Sequence, residues 1–325
     1  MTDKVYNAAI IGLGIMGGRM IGQMAAHASF GFSGAWDPSD EACSAAQSIV
    51  PGLIIAADAR SLINDPATDL VYIACPPAWH KEYAVMAMEA GKPVYCEKPL
   101  GVDIADSRDF VARLEDSNTS NIINFAQASA RAIEITDQRL QNGDLGDISG
   151  VDVIVHFARW PRDWQADADW LRYRDQGGYT REVFSHFIYL VERFFGPAEL
   201  VDAAPVYQAD PALCETHVTA TLKCGEVPVK LLGSSGGAGP DRVEMTIHGS
   251  KLSHRLHDWF ELQTSDGGAW QQQLEEHGDL RGDSFRRQLD AVARWMAGDD
   301  HTLASAADAL SVQVLVEGIL AGPRA

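Results

Sequence analysis

Up to Phe125 the chain alternates short apolar runs, rich in Val, Ile, Tyr and Phe, with stretches whose apolar positions recur every three or four residues. That alternation predicts a parallel sheet wrapped by crossover helices. The predicted strands are 5–11, 31–36, 52–55, 70–74, 93–96 and 121–125, and the helices between them include 15–28, 40–48, 79–90 and 104–115. Gly91 stands where a helix stop is expected. After a linking helix predicted over 130–141 the pattern changes. The segments 148–160, 199–208, 215–224, 227–235, 242–250 and 251–257 alternate apolar with polar positions. Such alternation implies a mostly antiparallel sheet with one packed and one exposed face. Two runs, 283–298 and 305–322, return to helical spacing.

A chain of 325 residues exceeds the size at which one core usually stops growing, so two domains are expected. The boundary falls at the change of pattern, giving a first domain over 1–125 and a second over 126–325. With 26 Lys and Arg against 45 Asp and Glu, the net charge is −19. That charge repels phosphate backbones and anionic headgroups, so neither nucleic acid nor a membrane surface is an expected partner. Five cysteines, at 43, 75, 96, 214 and 224, contain no CxxC pair and signal neither a disulfide framework nor a zinc site. Free thiols fit a reducing cytoplasm, and the first residues lack the pattern of a secretion signal. A cytoplasmic protein is the expectation.

Gly12-Leu13-Gly14-Ile15-Met16-Gly17 follows the first strand and opens a helix. In that context Gly12 permits a tight turn, Gly14 lets backbone approach a pyrophosphate, and Gly17 lets the helix pack on the sheet. The N–H groups of Ile15 and Met16 then face an anion. Asp37 ends the second predicted strand, where a carboxylate accepts hydrogen bonds from the adenosine ribose. The segment Asp37-Pro38-Ser39-Asp40-Glu41 carries three carboxylates and no cation, so a 2′-phosphate would meet like charge. NAD is expected rather than NADP. The fold class is α/β: an N-terminal Rossmann dinucleotide-binding domain, then a C-terminal α+β domain on a large, mostly antiparallel open-faced sheet.

Cys96-Glu97-Lys98-Pro99 lies beyond the fifth predicted strand, on the edge where open α/β sheets bind ligands. Lysine is scarce, seven in the chain, and partial desolvation of Lys98 beside a nicotinamide would suit its ammonium to donate to an oxygen undergoing hydride transfer. Spacing alone leaves that reading level with an exposed Lys paired to Glu97. The GxGxxG turn, the strand-end Cys75-Pro76-Pro77-Ala78-Trp79-His80 and Glu97-Lys98-Pro99, followed by a β-rich domain, together resemble the Gfo/Idh/MocA oxidoreductases. The resemblance implies that Lys98 lies at the hydride-transfer site, that Pro99 carries a cis or strained connection, and that Cys75, Pro76, Pro77, His80 and Glu97 line the cofactor. Cys75 stands where the family commonly has threonine, which makes the contact there steric.

Residues 177–186, GGYTREVFSH, are similar to the family's GG-x-x-x-D-x-G-x-H segment. On a helix Glu182 and His186, four apart, share one face, a spacing that suits an acid/base pair. The resemblance implies that His186 exchanges a proton with the substrate hydroxyl while Glu182 binds a neighbouring hydroxyl or orients the imidazole. An unperturbed imidazole titrates near 6.5, within reach of neutral pH. Glu182 replaces the usual Asp and Phe184 a usual Gly, and both changes bear on the standard polyol pose.

Upstream, Arg159, Trp160, Arg162, Trp164 and Arg172 belong to a stretch, 151–181, where five arginines balance five aspartates. Indole faces stack on sugar C–H surfaces and guanidinium forks bind hydroxyls or carboxylates, so these five are candidate substrate contacts. The same stretch reads equally as an edge loop stapling a subunit interface. His248, His254 and His257 lack paired carboxylates and read as surface or structural residues; no metal site is expected. The expected function is NAD-dependent hydride transfer between nicotinamide and a C–OH/C=O carbon of a sugar, cyclic polyol or related polar ring. Reduction of an imine or other conjugated substrate, and a non-catalytic dinucleotide-sensing regulator, are the alternatives. An exposed sheet face of this size predicts a homodimer or homotetramer.

Overall fold

The computed structural model of the chain describes residues 4–274 and 278–322. Contacts divide it into two units, one running to Phe125 and taking in Arg286–Leu310, the other comprising Ala126–Phe285 and the segment from Ser311.

The first unit runs β1 (Tyr6–Ile11), α1 (Ile15–Ala25), β2 (Phe30–Trp36), α2 (Asp40–Ile49), α3 (Ala59–Ile63), β3 (Leu70–Ile73), α4 (His80–Glu89), β4 (Val94–Glu97), α5 (Ile104–Asp116) and β5 (Asn121–Asn124). Its strands form one parallel sheet in the order β2-β1-β3-β4-β5. Continuous burial of Leu70–Ile73 and of four positions in β1 reflects helices on both faces. The strand expected at 52–55 is absent as an element. Only Ile55 bridges Ala35, because Pro51-Gly52 turns the chain and leaves Ile54 exposed. Helix α3, five residues long, gives too short a period to be legible in sequence.

The second unit contains α6 (Arg131–Gln141), β6 (Ile148–Phe157), α7 (Ser185–Phe195), β7 (Ala198–Tyr207), β8 (Glu215–Cys224), β9 (Val227–Ser235), β10 (Arg242–Gly249), β11 (Ser253–His257), β12 (Glu261–Ser265) and β13 (Gln271–Gln272). Its eight strands are ordered β13-β12-β11-β10-β6-β9-β8-β7, antiparallel except for the β6–β9 pair. Val153 and Val155, Ala220 and Leu222, and Val229 and Leu231 turn to the packed face, where α7 buries Phe187, Ile188, Leu190 and Val191. Val201, Val206 and Leu232 are exposed.

Helices α8 (Leu280–Ala297) and α9 (Ala306–Ala321) end the described chain. Although residues from 126 onward were expected to stay together, 286–310 belongs by contact with the first unit. Polar bonds explain this: Ile123 N–H donates to the Ala304 carbonyl at 2.8 Å, Ala306 N–H to Asn121 Oδ1 at 2.9 Å, and Gln288 to Asn124 Oδ1 at 3.2 Å. They satisfy the outer edge of β5.

His254 shows how one histidine is stored neutral. Arg139 faces Nε2 at 3.3 Å and can only donate, so Nε2 accepts and Nδ1–H donates to Thr136 Oγ1 at 3.0 Å. Burial, reinforced by the Arg139 charge, pushes its pKa down to about 4. Because the folded value lies below the unfolded one, the unfolded chain binds the extra proton as pH falls from about 6.5 to about 4, and stability is lost across that window. We expect wild type to lose roughly 3 kcal/mol more than His254→Gln between pH 7 and 4, read from urea unfolding. Equal losses would remove His254 from this role.

Candidate active site

Four strand ends of the first unit carry the predicted cofactor residues. Gly12 has φ +93°, and a Cβ there would lie 2.6 Å from the Cys75 amide nitrogen. On Gly17 a Cβ would fall 2.0 Å from the Gly12 carbonyl oxygen. Above Gly14 there is open space within 4 Å. Gly14 is also the N-cap of α1, with no side-chain cap and no acidic residue in the first turn, whereas α2, α3 and α5 are capped by Ser39, Asp58 and Asp103. The first-turn N–H groups, at half-buried Ile15 and Met16, are thus left for an external anion. This cradle fits a dinucleotide pyrophosphate.

Asp37 closes the cradle. Its Oδ2 accepts the Leu13 N–H at 2.7 Å and its Oδ1 the Ser39 N–H at 2.9 Å, which ties the glycine turn to the end of β2. Each oxygen keeps a second lone pair for a ribose hydroxyl. At the end of β3, Cys75 is half-buried, Pro76 exposed and Pro77 buried. Burial pushes the Cys75 thiol up to about 12, so it presents a neutral surface.

His80 and Glu97 depart from the expected cofactor contacts. His80 is buried, with Nδ1 2.9 Å from the Pro99 carbonyl oxygen and Nε2 2.9 Å from that of Cys75. Burial, opposed by those two carbonyls, pushes its pKa down to about 4. The neutral ring donates its single N–H to one of these carbonyls, and both nitrogens face backbone from two loops. Glu97 follows the strand alternation inward with Tyr95, and its Oε1 accepts from Tyr72 and Asn124. Lys98, next in sequence and half-buried, precedes a cis peptide bond to Pro99.

In the second unit the double glycine is built around a buried carboxylate. Glu215 Oε1 accepts the Thr180 N–H at 2.8 Å, and a Cβ on Gly178, at φ +97°, would lie 2.5 Å from the same carboxylate. Burial pushes Glu215 above the usual carboxylate range, with its Thr180 hydrogen bonds opposing. Arg181 pairs in two-point fashion with Glu317 at 2.6 and 2.8 Å and also donates to the Arg174 and Gly177 carbonyls. Held at its first two residues, Thr180–Phe184 forms a π-helical turn running into α7, not the single α-helix expected. π-turns recur at functional sites. Between 177 and 191, Glu182 and His186 are the two residues that are not buried.

Phe184 does not obstruct that face. It is fully buried against Tyr179, over Gly233 of β9, where a Cβ would meet both rings at 2.6 Å. Gly233 opens the space that Phe184 fills.

Of the predicted substrate contacts, Trp160, Arg162 and Trp164 gather together. The Arg162 guanidinium carbon lies 4.9, 5.6, 4.6 and 5.6 Å from the ring centres of Phe157, Trp160, Trp164 and Trp259. Arg159 and Arg172 are exposed and pair locally with Asp163 and Asp169, outside this cluster. Trp259 escaped the sequence reading. It sits edge-on to His186, ring centres 5.9 Å apart, in a turn where Asp258 and Trp259 both have positive φ, 47° and 73°. Asp258 is a common turn residue, but Trp259 at positive φ is not, and no glycine marks the turn. Of the three histidines set apart from chemistry, His248 pairs with Asp152 and His257 with Asp258.

Residues 6–125 match the family described as "Oxidoreductase family, NAD-binding Rossmann fold", and 135–255 match "GFO/IDH/MocA C-terminal domain". The chain belongs to the Gfo/Idh/MocA oxidoreductase family. It is 29% identical over 152 residues to levoglucosan dehydrogenase of Pseudarthrobacter phenanthrenivorans, 45% of this chain and 38% of that one. With inositol 2-dehydrogenase of Gluconacetobacter diazotrophicus it shares 32% identity over 119 residues, 36% of this chain and 34% of that one. These alignments span less than half of either relative. A solved structure of levoglucosan dehydrogenase with NADH and levoglucosan superposes with TM-score 0.85 at 20% identity, covering 98% of this chain and 97% of that one.

Gly233→Ala should lower stability by about 1–3 kcal/mol through overpacking against Phe184 and Tyr179, and Phe184→Leu should recover part of the loss. Calorimetric Tm values of the single and double variants check this; strict additivity would separate the two positions.

Proposed function

We propose that the protein is an NAD-dependent dehydrogenase acting on a C–OH/C=O carbon of a sugar, cyclic polyol or related polar ring. Family membership supports the reaction class. Two observations, each within its own unit, support the residue assignment: a lysine at the carboxyl edge of the parallel sheet, and Glu182 and His186 as the two residues not buried on a segment otherwise committed to the core. A bound nicotinamide supplies the hydride acceptor in oxidation and the donor in reduction.

The uncapped turn of α1 holds the pyrophosphate, and Asp37 holds the adenosine ribose. Lys98 Nζ donates to the substrate oxygen and stabilises the negative charge that develops there. His186 takes the hydroxyl proton as the carbonyl forms and returns it in the reverse direction. Glu182 binds the adjacent hydroxyl or orients the imidazole. Trp259, with Arg162, Trp160 and Trp164, walls the substrate side of His186. A homodimer or homotetramer covering Val201, Val206 and Leu232 completes the reading. Imine reduction rested on Phe184 closing the polyol pose; with that ring buried, nothing favours it over alcohol chemistry.

Lys98→Met should lower kcat by about 10²- to 10⁴-fold while leaving NADH affinity within a few-fold, measured by NADH formation on aldoses, inositols, sugar acids and anhydrosugars and by fluorescence titration. Retained turnover would reject the assignment. For the cofactor, kcat/KM should favour NAD over NADP by at least about tenfold, since the segment carrying Asp37, Asp40 and Glu41 holds three carboxylates and no cation to meet a 2′-phosphate. A tenfold preference for NADP would overturn it.

A further inference from the structure

A parallel sheet covered on both faces normally buries apolar side chains. Here its centre holds a polar chain instead. Tyr72 on β3 donates to Glu97 Oε1 at 2.5 Å, and Asn124 on β5 donates to the same oxygen at 2.6 Å. Tyr95 donates to Asn124 Oδ1 at 2.8 Å and Gln288 on α8 to the same atom at 3.2 Å, while the two tyrosine rings pack 4.8 Å apart. Tyr72 and Tyr95 are wholly buried, and Glu97, Asn124 and Gln288 are each at most 5% exposed. Burying five polar side chains is costly unless their bonds are made, and apolar residues would serve the fold at least as well. What the arrangement adds is position: two bonds end on Glu97, the residue immediately before Lys98, and two more hold Asn124, which makes one of them.

The residue after Lys98 is fixed as well, by the 2.9 Å contact of His80 with the Pro99 carbonyl. Resting on the reading of Lys98 given above, we propose that Tyr72 and Asn124 are positioning residues that clamp the buried Glu97 carboxylate and thereby hold Lys98 at the angle its hydrogen-bond-donor role requires. Through Gln288, α8 of the distant C-terminal part of the sequence completes the clamp. Neither Tyr72 nor Asn124 touches substrate. A displacement of about 1 Å at a reacting group costs on the order of 10²-fold in rate, which sets the scale of the effect.

Two variants test this. Tyr72→Phe deletes one hydroxyl with little risk to folding, and Asn124→Leu removes both halves of the bridge. Both should lower kcat about 10- to 100-fold, with the KM for substrate and the Kd for NADH within about threefold of wild type. In the apo protein, acetylation of Lys98 by N-acetoxysuccinimide, followed by peptide mass spectrometry, should run at least about threefold faster, with exposed Lys223 unchanged as the internal standard. In a Lys98→Met background, Tyr72→Phe should leave the residual rate unchanged. Wild-type kcat and Lys98 labelling in both variants, or losses that multiply in the Lys98→Met background, would overturn the clamp and leave the function intact. Full turnover by Lys98→Met alone would overturn the function and the clamp with it.

Discussion

The first unit is organised by how closely three backbone segments approach one another. Gly12, at the end of β1, passes so near Cys75, at the end of β3, that no side chain fits, and Gly17 presses on Gly12 from the start of α1. Gly12 N–H meanwhile donates to the Trp36 carbonyl at 2.9 Å, and Asp37 bonds back to Leu13. Close contact at this point aims an uncapped helix terminus outward and sets the ends of β1, β2 and β3 side by side. Strand order then adds β4, and with it Lys98, to the same edge. Loosening any of these contacts would shift the glycine turn, Asp37 and the end of β3 relative to one another.

The second unit solves a comparable problem with a carboxylate. Glu215, buried and bonded to the Thr180 N–H, needs Gly178 beside it, and Arg181 anchors the same segment to Glu317. The pinned stretch is wound as a π turn that runs into α7. Glu182 and His186 are the two residues of 177–191 that are not buried.

Much of this was legible in the sequence because it is written in local grammar. The glycine turn, Asp37 after the second strand and the alternating strands follow period or spacing rules, whereas Glu97-Lys98-Pro99 was singled out by resemblance; strands β8 and β9 fall where the alternation placed them. What escaped depends on distant partners. Glu97 and His80 look like edge residues until Tyr72, Asn124 and the Pro99 carbonyl are brought to them. The β11–β12 turn carrying Trp259 lacks glycine, so both the turn and its ring stayed hidden. Residues 286–310 return to the first unit because β5 has an edge to satisfy, a need that no window of sequence displays.

Phe184 carries the same lesson into chemistry. As a replacement for glycine it suggested a blocked pocket, yet a second glycine, Gly233 on β9, accepts the ring inside the core. The two positions compensate across the sheet, and the substitution concerns packing. Glu182 is then the one departure from the family segment that reaches the open face. Its extra methylene moves the carboxylate relative to His186 while keeping charge and acceptor chemistry, so in the proposed reaction the change falls on how Glu182 meets a neighbouring hydroxyl or the imidazole.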